Sequence, residues 1–185
     1  MRKLYLYLFL IVSLILSCHK KEPLEPPYGD KIFYTVTNRD YTPYLLSCFD
    51  ESENYIHIVM YLMKYYPLGS TCGESQLLNS IIQADGRGVD VKVLLEKSDY
   101  NNSLNAINES TYVYLTSKGV DVRFDSPSVT THAKLVIIDD KIAFVGSTNW
   151  TKSALEENNE VNVKIKAEDM VKELESYFQT LWNSF

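Results

Sequence analysis

The chain has 185 residues, 45% of them hydrophobic and 12% aromatic, with only 7 Gly and 6 Pro. That composition excludes a collagen-like chain and is too apolar for wholesale disorder. Acidic residues outnumber basic ones by 24 to 18, a formal net charge of −6, which argues against a protein that coats nucleic acid non-specifically.

Arg2 and Lys3 open the chain and are followed by an uncharged apolar run from Leu4 to Leu16, then Ser17 and Cys18. Such a run is short for a bilayer core of about 30 Å, so residues 1–17 read as a signal peptide and not as a spanning helix. Ile15-Leu16-Ser17-Cys18 resembles the lipobox of bacterial lipoproteins. The resemblance implies that Cys18 is lipidated and becomes the first mature residue, and that acyl chains hold an exported protein at a membrane surface, on the periplasmic or cell-surface side. Without Arg2 and Lys3, 16 basic residues face 24 acidic ones, a net charge of −8. Residues 18–32 are charged and Pro-rich without apolar period, which predicts an extended tether. Residues 33–185 are then left for one domain with a sizeable core.

Ile32 to Val36 reads as a first strand and Tyr41 to Phe49 as a short helix. Tyr55 to Leu62 is apolar nearly throughout and rich in β-branched and aromatic residues, as expected of a strand covered on both faces. Thr71 and Glu74 have capping-box spacing ahead of Leu77, Leu78, Ile81 and Ile82 at helical period, and Gly86-Arg87-Gly88 stops that helix. Val89 to Leu95 is a strand. Leu104, Ile107 and Leu115 mark a helix ending near Gly119, and Val120 to Phe124 is the next strand. This alternation predicts an α/β domain with a mixed, largely parallel sheet and helices on both faces. Met170, Val171, Leu174, Tyr177, Phe178, Leu181 and Trp182 give a closing helix an apolar stripe that suits a core face. Cys48 and Cys72 could pair as a disulfide in an exported protein or lie buried as free thiols; the sequence leaves both open.

Chemistry concentrates in a hairpin. His132 to Asp139 and Ile142 to Ser147 lie two residues apart, and Glu160 to Lys166 reads as a further strand. With Asp140-Lys141 as the turn, His132 falls opposite Asn149 and Lys134 opposite Ser147, and a slip of one residue would still gather the same four side chains. An imidazole, an ammonium, a hydroxyl and a carboxamide in one place suit attack on a phosphate diester. Neutral imidazole is a competent nucleophile near neutral pH, Lys134 can offset charge on the non-bridging oxygens, and Ser147 and Asn149 can donate hydrogen bonds to them. The three His and the two remaining Cys show no metal-ligand spacing, so neither a metal nor another cofactor is expected.

His132-x-Lys134-x4-Asp139-x6-Gly146-Ser147-x-Asn149 resembles the signature of the phospholipase D superfamily, and the resemblance extends over roughly residues 33–185. It is greatest toward the short members with one motif per chain, which include bacterial endonucleases and a cardiolipin-hydrolysing branch. The resemblance implies a phospholipase D-type fold and a covalent phosphohistidine on His132. It makes Lys134 and Asn149 the phosphate-binding residues with Ser147 beside them, and Glu160 the carboxylate that orients the imidazole. Asp139 completes the catalytic set as its structural member. A second motif His must protonate the leaving oxygen, so a single motif implies a homodimer with one composite site. A membrane-tethered phosphodiester hydrolase acting on phospholipid is the reading favoured; a metal-independent endonuclease acting on DNA or RNA, and a non-catalytic binding lipoprotein, are the alternatives. His57, in an apolar strand, is expected to be a packed histidine.

Overall fold

The computed structural model describes residues 32–66 and 71–184. The signal peptide, Cys18 and the tether expected from the sequence lie outside the described residues. Seven strands form one sheet in the order β1-β7-β6-β5-β2-β3-β4. In chain order these are β1 (Phe33–Thr37), β2 (Tyr55–Met60), β3 (Asp90–Leu95), β4 (Asp121–Phe124), β5 (Lys134–Ile138), β6 (Ile142–Gly146) and β7 (Val161–Ile165). The helices are α1 (Tyr41–Asp50), α2 (Gly73–Gly86), α3 (Asn102–Thr116) and α4 (Glu168–Trp182).

The sheet is mixed, as expected, but its balance is antiparallel. Only β2, β3 and β4 run parallel, whereas β5 on β2, β6 on β5, β7 on β6 and β1 on β7 are antiparallel. The reason lies in the connections. Helices α2 and α3 are long enough to carry the chain back for a parallel neighbour, whereas β5 and β6 are joined by a tight turn that can only reverse direction.

Each helix forms for a legible reason. Pro43 sits in the first turn of α1, where its missing N–H costs nothing. The Asn101 side chain caps α3 by accepting from the Leu104 amide at 3.0 Å, and Gly88 and Gly119, at φ 93° and 100°, follow α2 and α3 in left-handed conformations that favour glycine. The Thr71/Glu74 capping box does not form. Cys72 occupies the N-cap without a side-chain cap, and the Gly73 amide donates instead to Glu156 Oε1 at 2.9 Å.

One face of the sheet packs Ile56, Ile58, Met60, Val93, Val136 and Phe144 against α1 and α2, with Leu115 of α3. The other packs Val59, Leu94, Leu135, Ile137 and Ala143 against Val171, Phe178 and Trp182 of α4. Full burial of each such side chain is worth about 1.5–3 kcal/mol, so the two faces hold the strands rigidly in register. Val171, Leu174, Phe178, Leu181 and Trp182 of the expected α4 stripe face the core, whereas Met170 and Tyr177 at its edge are exposed. Cys48 and Cys72 are both buried and form no disulfide.

The hairpin register is one residue away from the first count. Asp139 and Asp140 both adopt positive φ, and the Lys141 amide donates to the Ile138 carbonyl at 3.0 Å, so three residues separate Ile138 from its partner Ile142. Continuing that ladder sets Lys134 opposite Gly146. Two adjacent left-handed Asp residues make this turn, a conformation Asp tolerates better than most side chains.

Candidate active site

The strand directions bring the C-terminal ends of β1, β2, β3, β4 and β6 and the N-terminal ends of β5 and β7 to one end of the sheet. Side chains from helices and loops staple this crest. Asn108 of α3, fully buried, donates to the Tyr61 and Glu96 carbonyls, both at 2.9 Å, and accepts from the Met63 amide at 3.0 Å. Thr111 bonds the same segment through the Met63 carbonyl and the Tyr65 amide. Trp150, also fully buried, bridges to it by main-chain bonds with Leu62 and Lys64 at 3.0 and 2.9 Å. The residue before it, Asn149, therefore sits on a fixed backbone.

Three of the expected residues, His132, Lys134 and Ser147, line one depression of about 420 Å³ together with Gly146 and Val161. His132 is exposed, just ahead of β5, with its ring edge-on to Tyr61 at 4.4 Å between centroids. Lys134 is buried, its Nζ donating to the His132 carbonyl at 2.8 Å and lying 3.3 and 3.4 Å from the ring nitrogens Nε2 and Nδ1. It also lies 4.8 Å from the Tyr61 ring centroid, a cation–π contact. Gly146 has to be glycine. A Cβ there would fall 2.2 Å from Asn162 Oδ1 and 2.4 Å from the Val161 carbonyl, across the β6–β7 pair.

Glu160 comes to the same crest but not onto the imidazole. Its carboxylate accepts from the Ser147 hydroxyl and from Asn158 Nδ2, the latter at 3.2 Å. Its backbone is bracketed by Asn38, which accepts from the Glu160 amide at 2.8 Å and donates its own amide to the Glu160 carbonyl at 3.0 Å. Asn149 Oδ1 is buried without a hydrogen-bond partner among the described residues.

Asp139 is elsewhere. Carried with the catalytic set on sequence grounds, it lies at the opposite end of the hairpin, roughly 20 Å of extended strand from His132 at about 3.3 Å per residue. Its two oxygens accept from the amides of Glu53, Asn54 and Tyr55 at 2.9, 2.7 and 2.9 Å. Burial alone would raise its pKa, but those amides and Lys141 outweigh it and hold the carboxyl below its ordinary value. It pins the hairpin tip to the start of β2. His57 is the packed histidine its strand suggested, buried between Tyr55 and Phe178 and 2.9 Å from Glu175 Oε1.

Electrostatics at the crest favour a neutral ring. Loss of water and then the Lys134 ammonium lower the His132 pKa below its ordinary value, so the imidazole has its lone pair available at neutral pH. Burial lowers the pKa of Lys134 as well, partly countered by the charge of Glu160.

Sequence reasoning missed Asn108, Glu96 and Asp125. A signal existed for each. Asn108 interrupts the apolar side of α3 four residues after Leu104, and Glu96 and Asp125 each follow directly on an apolar strand that ends at the crest.

The family described as cardiolipin synthase, PLD-like domain, matches residues 45–182. The mitochondrial cardiolipin hydrolase of Canis lupus familiaris is 33% identical over 99 residues, 54% of this chain and 37% of that one. A phospholipase D of Rickettsia conorii is 28% identical over 142 residues, 77% of this chain and 62% of that one. The chain thus spans less than two thirds of either relative. Among solved structures, Nuc of Salmonella typhimurium, a phospholipase D family member, superposes with a TM-score of 0.67 at 22% identity, over 82% of this chain and 95% of that one. With His132, Lys134, Gly146 and Ser147 of the signature gathered at one end of a sheet of that fold, and the family match running over most of its length, the chain belongs to the phospholipase D superfamily.

Proposed function

We propose that the protein is a phosphodiesterase that works through a covalent phosphohistidine on His132, with phospholipid as substrate. The observation that carries this reading is the pairing of an exposed imidazole, lowered in pKa, with a buried ammonium 3.3 Å away at the floor of an open depression. A ring nitrogen of His132 donates its lone pair to phosphorus, and the bond from phosphorus to the leaving alcohol oxygen breaks. Lys134, Ser147 and Asn149 hold the non-bridging oxygens. The leaving oxygen takes a proton from the imidazolium of a second His132, which then removes a proton from water as that water displaces the phosphohistidine.

The second His132 comes from a second copy of the chain. Support lies beside the depression, where Val161 adjoins a row of uncovered apolar side chains on the face that α4 leaves bare: Phe33, Val145 and Val163, each between 38% and 54% exposed together with Val161. A two-fold axis through that surface would cover it and bring two depressions together. Phospholipid is supported by the net negative charge and by the expected lipid on Cys18, which would concentrate membrane substrate around the site.

The test is turnover by residues 19–185 in EDTA, on phosphatidylcholine or cardiolipin vesicles and on single- and double-stranded DNA, beside His132→Ala. Release of head group or phosphatidic acid, lost in the variant, is expected. Cleavage of DNA alone would make the protein a nuclease, and a monomer in sedimentation that is fully active would overturn the composite site. Silence on every substrate, with no thermal protection by vanadate or tungstate, would favour a non-catalytic binding lipoprotein.

A further inference from the structure

Immediately behind His132, the crest holds two buried acids with no role in the chemistry above. Glu96 follows β3 and is 1% exposed; Asp125 follows β4 and is 5% exposed. Each holds a backbone amide of a crest loop. Glu96 Oε2 accepts from the Thr131 amide at 2.6 Å, the residue directly before His132, and Asp125 Oδ1 accepts from the Lys97 amide at 2.6 Å. The remaining oxygen of Asp125, Oδ2, is buried without a hydrogen-bond partner among the described residues, and the parallel β3–β4 register, which pairs Leu95 with Phe124 and bonds the Asp125 amide to the Leu95 carbonyl at 3.0 Å, sets Glu96 beside Asp125. Two buried carboxyls side by side are costly to keep ionised together without a cation between them. The nearest cation does not serve: Lys97 Nζ turns to Glu109 at 3.5 Å and lies over the Phe124 ring.

We propose that Glu96 and Asp125 share one proton, and that the carboxylic acid pair so formed is the positioning device that fixes the Thr131–His132 backbone, and with it the nucleophilic imidazole. The proposal rests on the reading of His132 as the nucleophile. The proton supplies the donor that Asp125 Oδ2 lacks and leaves Glu96 Oε2 free to accept from Thr131. Without it, two carboxylates face each other, and the contact that can yield is the one between Glu96 and the loop, because the Glu96 carbonyl is held by Asn108 at 2.9 Å.

The surroundings agree with a retained proton. Burial, offset in part by the Thr131 amide and reinforced by Asp125 and Asp99, pushes Glu96 up to about 7. Tyr61, just after β2, also senses this charge: its own pKa is raised by burial, then by Tyr100 and Glu96. No element packed against Glu96 contributes a cation at hydrogen-bonding distance among the described residues.

The test has two arms. Infrared spectra of the full domain at pH 6 should show the carbonyl stretch of a protonated carboxylic acid that fades as pH rises through neutrality. The band should be missing in both Glu96→Gln and Asp125→Asn, because each amide supplies the donor itself. A spectrum without that band, or one unchanged in both variants, overturns the shared proton whether or not any substrate is turned over. In the kinetic arm, Glu96→Ala should lower kcat by roughly 10- to 100-fold with KM little changed, the order expected for a displaced reacting group. Glu96→Gln should recover most of that loss and carry the alkaline limb of the profile to higher pH. An alanine variant that folds and turns over within twofold of the parent, or a glutamine variant no better than alanine, overturns the positioning role. If the parent itself turns over nothing, the phosphodiesterase reading fails instead, and the spectra still decide the pair.

Discussion

The ammonium of Lys134 touches His132 three times, at its backbone carbonyl (2.8 Å) and near both ring nitrogens (3.3 and 3.4 Å). One buried cation therefore sets both where the ring lies and how readily it takes a proton. The two effects can be separated by substitution.

Lys134→Met removes the charge that helps to depress the imidazole pKa, so the ring should titrate at higher pH in the variant than in the parent, followed through its Cε1 proton by NMR. In the parent, the neutral ring persists below the ordinary histidine value of about 6.5, and the acid limb of kcat/KM should fall in that lower range. Losing a phosphate-binding cation should also cost about 10²- to 10³-fold in kcat. A ring that titrates identically in both proteins would disprove the electrostatic link.

At the far end of the hairpin, Asp139→Ala orphans the amides of Glu53, Asn54 and Tyr55. We expect a loss of about 2–4 kcal/mol in urea unfolding, from orphaned donors that each cost about 1–3 kcal/mol before partial hydration. The pH dependence has a definite sign. Because the folded carboxyl titrates below its ordinary value, its stabilisation is fully present above about pH 4 and is lost as pH falls through the folded value. The stability gap between parent and Asp139→Asn should therefore close in acid, and a constant gap would contradict the assignment.

Gly146→Ala places a methyl 2.4 Å from the Val161 carbonyl, main chain that cannot turn aside. The β6–β7 pair must spread where it carries Ser147 and Glu160. A destabilisation of about 1–3 kcal/mol, the usual cost of overpacking, should accompany a loss of kcat. An alanine variant with unchanged melting temperature and kcat would show that this approach is not tight.

His57 offers the opposite contrast. Its ring stacks on Tyr55 and Phe178 at 4.4 and 4.5 Å and bonds Glu175, so His57→Ala should cost about 2–4 kcal/mol of stability from lost packing. The folded variant should keep kcat/KM within about twofold, below 0.5 kcal/mol of transition-state binding. A drop as deep as that of His132→Ala would make His57 part of the chemistry.

How much of this was legible beforehand depended on how local the cause was. Strand and helix positions followed from apolar period, and the grouping of His132, Lys134 and Ser147 around one depression followed from their lying within one hairpin. The turn register did not, since it rests on two consecutive left-handed Asp residues whose carboxylates look interchangeable in sequence although only Asp139 reaches the β2 amides. The bias toward parallel pairing failed for a related reason: β1 closes against β7, more than a hundred residues later, and no local pattern announces such a partner. Glu160 was expected to orient the imidazole, whereas in the structure its carboxylate bonds Ser147 and Asn158, partners set by how the chain enters β7 from the short helical turn at Ser153–Glu157. Glu96 and Asp125 look like surface acids until β3 and β4 are set side by side.

The division of labour between strands and loops at the crest has a consequence for how such a protein can change. Lys134 and Gly146 are strand residues, and His132, Ser147 and Glu160 lie within two residues of a strand end, so the groups proposed for the chemistry are carried by the scaffold. In the loops that follow β3 and β4, Tyr100 and Val129 stand exposed, and exposed loop positions of this kind can vary at little cost to the core. Substitutions at those exposed positions can thus alter the surface at this end of the sheet while the groups carried by the strands beneath stay as they are.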